Sequence, residues 1–305
     1  MPNGGLPPPL LLAGPTAVGK SAVALLLAGR LGGEIISVDS MQVYRGLDIG
    51  TAKPLAADRQ RVPHHLIDVV ELGEPFDAAR FLELARRAVN EIHGRGRRPI
   101  FCGGTGLYFK AYLDGLGDAP PSYPALRAEL ERAPLSELLR ELEQHDPATF
   151  EQIDRQNPRR IVRALEVIRL TGRPFSGQRA AWLEVSPAGA VVALRRSAAD
   201  LRERIEARVD QMFQQGLVRE TESLLGRGLD QNRTAMQAIG YRQAVEHLRG
   251  ARSLADTIAE IKARTRRFAK RQMTWLRHQL PVRWIEVAPE ERAESVADRI
   301  ESGLG

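Results

Sequence analysis

The residues that most clearly indicate a chemical role lie near the start of the chain, where GPTAVGKS fits the phosphate-loop pattern G-x-x-x-x-G-K-[ST]. An apolar run, Leu10–Ala13, precedes this loop and a helical apolar pattern follows it, which is the context that such a loop requires. Backbone N–H groups, a helix N-terminus and a lysine together favour a di- or triphosphate, and the final serine is placed to hold Mg²⁺. The predicted phosphate-binding residues are Gly14, Pro15, Thr16, Ala17, Val18, Gly19, Lys20 and Ser21, with Ser21 as the metal ligand.

Two further polar residues follow strand-like runs. Asp39 comes after the run 34–38, and Thr105 follows a glycine pair after the run 98–102. A carboxylate beside a phosphate loop could be a general base, a Mg²⁺ ligand or a turn residue, and the residues alone leave these roles open. Thr105 could orient that base or the substrate by a hydrogen bond, or it could cap the helix that follows.

Alternating strand and helix patterns must position these residues, and they predict an α/β fold with a parallel sheet flanked by helices, of the P-loop NTPase-like type. Because parallel strands end at one edge of a sheet, we expect the three polar loops to converge on one pocket. A strand is also predicted over 65–70, and Cys102 is predicted to pack in the core. The catalytic core is predicted at residues 1–117 and 190–305, with an all-helical insertion at 118–189 that begins in a proline-rich stretch.

The charge distribution indicates a polyanionic partner. The net charge is +6, and eight basic residues but no acidic one lie between Ile261 and Ile285. A solvated helix is the alternative interpretation, but such surfaces normally mix signs, so we expect nucleic-acid binding. The single cysteine excludes an internal disulfide. The apolar N-terminal run is too short to span a membrane, and a cytoplasmic protein that does not bind membranes is expected.

Three classes of function fit a phosphate loop: a kinase, an NTPase or a transferase that expels diphosphate. A small-molecule kinase does not need an acid-free segment of this length. A non-catalytic RNA-binding protein leaves Asp39 and Thr105 without a role. Neither alternative uses both features, and the residues alone leave the choice between these classes open.

Six segments then indicate a family: GPTAVGKS, VDSMQVYRGLDIGTAKP, GGTGLYFKAYLDGL, NPRRIVRALEV, QAIGYRQ and KRQMTWLRHQ. In this order, over nearly the whole chain, they resemble the bacterial tRNA dimethylallyltransferases (tRNA isopentenyltransferases). The resemblance implies transfer of the dimethylallyl group of dimethylallyl diphosphate to N6 of adenosine 37, beside the anticodon, with release of diphosphate. It also implies a requirement for Mg²⁺ and a phosphate loop that holds a prenyl diphosphate and not ATP.

The resemblance implies residue roles by matching position. Asp39 resembles the general base, Thr105 its hydrogen-bonding partner, and Arg208 an arginine that neutralises the departing diphosphate. The partner is the anticodon stem-loop of tRNA, and a monomer is expected. The implied tRNA contacts are Asp39, Ser40, Met41, Gln42, Thr105, Arg127, Arg159, Arg160, Ile161, Val162, Arg163, Gln237, Ala238, Ile239, Gly240, Tyr241, Arg242, Lys270, Arg271, Gln272, Trp275 and Arg277.

Overall fold

Parallel strands form the centre of the larger of two structural units. In chain order they are β1 (Leu10–Ala13), β2 (Gly33–Val38), β3 (His64–His65), β4 (Arg98–Gly103), β5 (Val191–Arg195) and β6 (Val282–Glu286). Their order in the sheet is β3-β2-β4-β1-β5-β6, and every pairing is parallel. Leu12 and Ala13 in β1 are fully buried, as expected for a central strand that is covered on both faces.

The computed structural model describes residues 6–178 and 191–304. Of these residues, the larger unit comprises 6–112 and 191–304, and the smaller one comprises 113–178. The helices are α1 (Lys20–Leu31), α2 (Ala56–Arg61), α3 (Ala78–Gly94), α4 (Gly106–Asp114), α5 (Pro124–Leu130), α6 (Leu135–His145), α7 (Pro147–Gln152), α8 (Pro158–Thr171), α9 (Ala198–Gln214), α10 (Leu217–Leu225), α11 (Tyr241–Leu248), α12 (Leu254–Gln279) and α13 (Ala293–Glu301). Short 3₁₀ turns lie at Phe175–Gly177, Leu229–Gln231 and Ala235–Gln237.

The strand order creates a crevice at the carboxyl edge of the sheet. From β1 the chain continues to β2 on one side, whereas after β4 it continues to β5 on the other side. The loops that leave neighbouring strands β1 and β4 therefore diverge, which is the usual place for a ligand in an open parallel sheet.

Local sequence signals explain where several helices begin and end. The Asp77 carboxylate accepts hydrogen bonds from the backbone N–H groups of Ala79 and Arg80, so it caps α3 as predicted. Gly172 ends α8 with a left-handed backbone (φ 67°), which a residue without Cβ adopts at little energetic cost.

The smaller unit contains α5 to α8 around its own apolar core, in which Leu130, Leu142 and Leu165 are buried. Glu166 is fully buried in this unit, and its carboxylate accepts hydrogen bonds from Ser122 Oγ, Tyr123 N and Arg163 Nη1. Three donors offset the desolvation of this charge, and they hold its pKa below the ordinary value although burial alone would raise it.

The strand predicted over 65–70 is wrong. Only His64–His65 pair with β2, and a single isolated bridge joins Tyr44 to Val70. Leu66 and Asp68 have positive φ values of 61° and 56°, which interrupt an extended backbone. The predicted strand at 190–194 is found as Val191–Arg195, while residues 179–190, including the end of the predicted insertion, lie outside the described residues. In the described ranges, no helix has the length and apolar character needed to cross a membrane.

Candidate active site

A cavity of about 390 Å³ lies at the carboxyl ends of β1, β2 and β4. The loop after each of these strands contributes to its wall: Thr16, Lys20 and Ser21 after β1, 39–42 after β2, and 104–105 after β4. Residues from α9 and α12, from the stretch 50–67 and from 237–239 also line it. The three polar loops of the sequence thus meet at one place.

The phosphate loop is held in shape by contacts from outside it. Gly14 has no room for a side chain, because a Cβ there would lie 2.9 Å from the carbonyl oxygen of Leu194. Arg204 Nε donates to the carbonyl of Ala17 at 2.9 Å, and Arg196 Nε donates to the carbonyl of Val18 at 3.0 Å. These two arginines fix the carbonyl groups of the loop, and no motif in the sequence identified them.

Lys20 is the first residue of α1, and its Nζ donates to the Pro15 carbonyl at 2.6 Å. The pKa of this lysine is lowered from 10.5 to about 8, mainly by burial and also by the positive charge of Arg208, against opposing contributions from Cys102 and Asp39. Arg208, in α9, donates from Nη1 to Thr16 Oγ1 at 3.3 Å, and burial lowers its pKa as well. Two poorly solvated cations side by side form a site for a polyanion.

Asp39 occupies a turn and also faces the cavity. Its Oδ1 accepts from the backbone N–H of Met41 at 2.8 Å and of Gln42 at 3.3 Å. Of the three roles that the sequence left open, the structure therefore shows the turn contact. Among the described residues both hydrogen bonds use Oδ1, so Oδ2 retains its capacity to accept a proton or to approach a cation.

Thr105 lies beside Asp39 in the cavity wall. Its backbone N–H donates to the Val38 carbonyl at 3.1 Å, so the loop after β4 is joined to the end of β2. Within the described chain, no hydrogen bond connects the Thr105 hydroxyl to Asp39; the implied partnership between them remains a prediction. Cys102 packs against the core as predicted, and it also lines the cavity, where burial raises its thiol pKa to about 11.

The residues implied as tRNA contacts are only partly brought together. Those in the cavity wall are Asp39, Ser40, Met41, Gln42, Thr105, Gln237, Ala238, Ile239, Arg271 and Gln272. Those of the larger unit that lie outside the cavity wall are Gly240, Tyr241, Arg242, Lys270, Trp275 and Arg277. The Tyr241 side chain is buried: its hydroxyl accepts from Gly50 N and donates to the Glu220 carboxylate, so it anchors the loop that carries Gly50.

The remaining implied tRNA contacts, Arg127, Arg159, Arg160, Ile161, Val162 and Arg163, belong to the smaller unit. Ile161 and Val162 point into its core and are 0% and 2% exposed. Their side chains are therefore not available to an RNA. Any contact at this stretch is left to the neighbouring arginines, of which Arg163 also pairs with the buried Glu166.

The positive charge of the basic segment of α12 is partly neutralised by acidic residues outside that segment. Lys262 Nζ lies 2.7 Å from the Asp210 carboxylate, and Arg266 lies 2.8 Å from Glu206, both on α9. These two acids are 52 and 60 residues away from their partners in sequence, so inspection of the segment alone could not find them. Glu260, immediately before the segment, also pairs with Arg264 and Arg267. In the described part of the chain, Lys270 and Arg277 have no ion pair, which confines the available charge to the later turns of α12.

The donor set of the cavity suits Mg²⁺ held largely by substrate. The Ser21 hydroxyl and the Asp39 carboxylate lie in the same wall, and both offer hard oxygen atoms. Across residues 6–178 and 191–304, no group of three His, Cys, Asp or Glu side chains could hold a metal by itself. A site of this kind would draw most of its ligands from diphosphate and water.

A parallel sheet with a phosphate loop after its first strand and a cavity at its carboxyl edge defines a P-loop NTPase-like α/β protein. Residues 42–279 match the family model described as IPP transferase. A tRNA dimethylallyltransferase of Anaeromyxobacter sp. is 46% identical over 299 residues, covering 96% of this chain and 99% of that protein, and one from Citrifermentans bemidjiense is 45% identical over 91% of each. The chain therefore belongs to the IPP transferase family.

Solved structures agree with this assignment. The tRNA isopentenylpyrophosphate transferase of Bacillus halodurans superimposes with a TM-score of 0.71 at 39% identity, covering 98% of this chain and 97% of that chain. A eukaryotic dimethylallyltransferase, described as acting on tRNA, superimposes with a TM-score of 0.79 at 26% identity, covering 97% of this chain and 80% of that one.

Proposed function

We propose that the protein transfers the dimethylallyl group of dimethylallyl diphosphate to N6 of adenosine 37 in tRNA and releases diphosphate. The observation that carries this proposal is the single cavity in which Lys20 and Arg208 lie in the same wall as Asp39. A strong anion site and a carboxylate in one cavity suit a reaction in which an anion leaves while a proton is removed. The relatives' names, a tRNA dimethylallyltransferase and a tRNA isopentenylpyrophosphate transferase, support the choice of the two substrates.

The cationic side of the cavity would hold the diphosphate. As the allylic C–O bond breaks, negative charge grows on the bridging oxygen, and Lys20 and Arg208 stabilise it electrostatically. Burial lowers the pKa of both groups, and in so poorly solvated a site their attraction for diphosphate would be weakly screened. Mg²⁺, when bound beside Ser21, would add positive charge to the leaving group.

Asp39 would act as the general base. The adenine N6 lone pair is delocalised into the ring, so the amine is a poor nucleophile until it is aligned with the allylic carbon. As the new C–N bond forms, the N6 proton becomes acidic and passes to the carboxylate of Asp39. Thr105, which lines the same cavity, would orient the amine or the base.

The apolar part of the wall suits the hydrocarbon group. Ile67, Val209, Met212 and Ile261 line the same cavity as the charged residues. Burial of a five-carbon chain there contributes about 0.8 kcal/mol per CH₂. The adenine must leave its stack to reach the cavity, at a cost of a few kcal/mol. We further propose that the enzyme acts in the cytoplasm as a monomer, on the anticodon stem-loop of tRNA.

The test is transfer of a labelled dimethylallyl group into tRNA with Mg²⁺ present. The wild-type protein should incorporate label, whereas Asp39→Asn should lower the rate about 10²–10⁴-fold. The asparagine retains an oxygen that can accept from Met41 N, so the turn is preserved. Its affinity for tRNA should stay within a few-fold of wild type.

Asp39→Ala is the companion variant, because it removes both the base and the turn contact. A large loss of tRNA affinity in Asp39→Asn would assign Asp39 a structural or RNA-binding role instead. Absence of label in tRNA with the wild-type protein, together with phosphate transfer from ATP to a small molecule, would refute the transferase proposal.

A further inference from the structure

We propose that Gln272 is a positioning residue, which sets the distance between the diphosphate site and the base. The inference rests on the proposed function, because it assigns a role within the same cavity. Gln272 lies in α12, is 8% exposed and contacts two of the three loops of the cavity.

The amide of Gln272 bridges these loops directly. Its Oε1 accepts from the backbone N–H of Thr16 in the phosphate loop at 2.9 Å, and its Nε2 donates to the carbonyl of Gly104 at 3.0 Å. A backbone N–H can only donate and a carbonyl can only accept, so the two partners fix the orientation of the amide. A side chain with both a donor and an acceptor is required here.

The backbone is shaped to receive this side chain. A Cβ at Gly104 would overlap Gln272 Nε2, and a Cβ at Gly106 would overlap the Trp275 ring. Two glycines of the loop after β4 therefore allow α12 to approach closely, one turn of the helix apart. Gly104 and Gly106 of GGTG serve this contact as well as any contact with substrate.

The bridge joins the two ends of the proposed reaction. Thr16 also accepts a hydrogen bond from Arg208, which faces the leaving diphosphate. On the other side, the Gly104 N–H donates at 3.2 Å to the carbonyl of Val38, the residue before Asp39. A continuous path of hydrogen bonds thus runs from Arg208 through Thr16, Gln272 and Gly104 to the turn that holds the base.

Loss of the bridge should affect rate more than binding. The diphosphate cations and the base would remain, but the distance between them would be less well defined, and a small misplacement of reacting groups lowers rates strongly. A direct role for Gln272 in binding tRNA would instead raise the KM for tRNA.

The experiment compares Gln272→Met and Gln272→Glu with Gln279→Met, an exposed glutamine near the end of the same helix. Methionine removes both hydrogen bonds at similar size, whereas glutamate retains the acceptor for Thr16 and loses the donor to Gly104. Both Gln272 variants should lower kcat about 10–100-fold, with the KM for tRNA within about threefold of wild type. The KM for dimethylallyl diphosphate should also stay within about threefold in the uncharged Gln272→Met. Gln279→Met should match wild type.

Amide hydrogen exchange supplies a readout that does not depend on activity. In the free protein, the Thr16 N–H should exchange faster in Gln272→Met than in wild type, and Gln272→Glu should preserve more protection. Unchanged kcat, or a rise in KM for tRNA with unchanged kcat, would overturn the positioning role. Failure of the proposed function is distinguishable, because the wild-type protein would then label no tRNA at all.

Discussion

Replacement of Lys20 by methionine should stabilise the free protein and lower its affinity for diphosphate. Lys20 is a charged group in a poorly solvated position, where its pKa has fallen from 10.5 to about 8. Each pKa unit corresponds to about 1.4 kcal/mol, so the folded protein carries a penalty of at most about 3 kcal/mol for keeping this charge. The hydrogen bond to Pro15 opposes this with about 1–2 kcal/mol.

At pH 7, Lys20→Met should therefore raise the free energy of unfolding by about 1–2 kcal/mol, since methionine has a similar length to lysine without its charge. In a domain of this size, that gain raises the melting temperature by about 2–8 °C. Scanning calorimetry of the free protein measures it, with the exposed Lys270→Met as the matched control.

The gain should also depend on pH. Because the folded-state pKa lies below the unfolded-state pKa, the unfolded chain binds more protons between about pH 8 and pH 10.5. The stability of the wild type therefore rises through that range, and its difference from Lys20→Met closes. Below about pH 8 the difference should be constant.

Binding of pyrophosphate tests the second part of the prediction, the loss of anion affinity in Lys20→Met. Inorganic pyrophosphate should raise the melting temperature of the wild type much more than that of Lys20→Met, since a ligand stabilises only the state that binds it. A Lys20→Met protein that melts below the wild type at pH 7, or a difference that does not shrink towards pH 10, would refute the account of Lys20 as a destabilising cation.

Two further predictions concern packing and RNA binding. Gly106→Ala should destabilise the protein by about 1–3 kcal/mol, because the added Cβ meets the Trp275 ring. Gly29→Ala, in open space inside α1, should stabilise it by about 0.5–1 kcal/mol. Thermal melts measure both changes, and equal changes in melting temperature would contradict the steric clash at Gly106. Lys270→Ala should reduce the slope of log tRNA affinity against log salt concentration by about one unit. Lys262→Ala should change this slope little, because the Lys262 charge already pairs with Asp210. Titrations at several salt concentrations measure the slopes, and equal slopes for the two variants would contradict the prediction that only Lys270 is available to RNA.

The sequence predicted those parts of the protein that depend on local signals. The phosphate loop, the strands around it and the Asp77 cap all follow from residues that are neighbours in the chain. Convergence of the three loops also followed, since parallel strands end at one edge. The strand over 65–70 failed because positive φ values at Leu66 and Asp68 have no signature in an apolar run.

Contacts between distant segments could not be predicted. The ion pairs of Lys262 and Arg266 involve acids on another helix, so a segment without acids was taken as more basic than it is. Gln272 matched a position implied to contact tRNA, yet its amide is occupied by two backbone groups of the cavity. Nothing within ten residues of Gln272 indicates those partners.

The bridge from Thr16 to Gln272 has a consequence for how the enzyme is made. The two residues are 256 positions apart, and β1 pairs with β5 only after residue 191 has been added. At about 5–20 residues per second, about 13–50 s of synthesis separate the phosphate loop from the side chain that secures it. A nascent chain therefore carries a recognisable phosphate loop long before it has a working cavity, and prenyl transfer must await translation past residue 272.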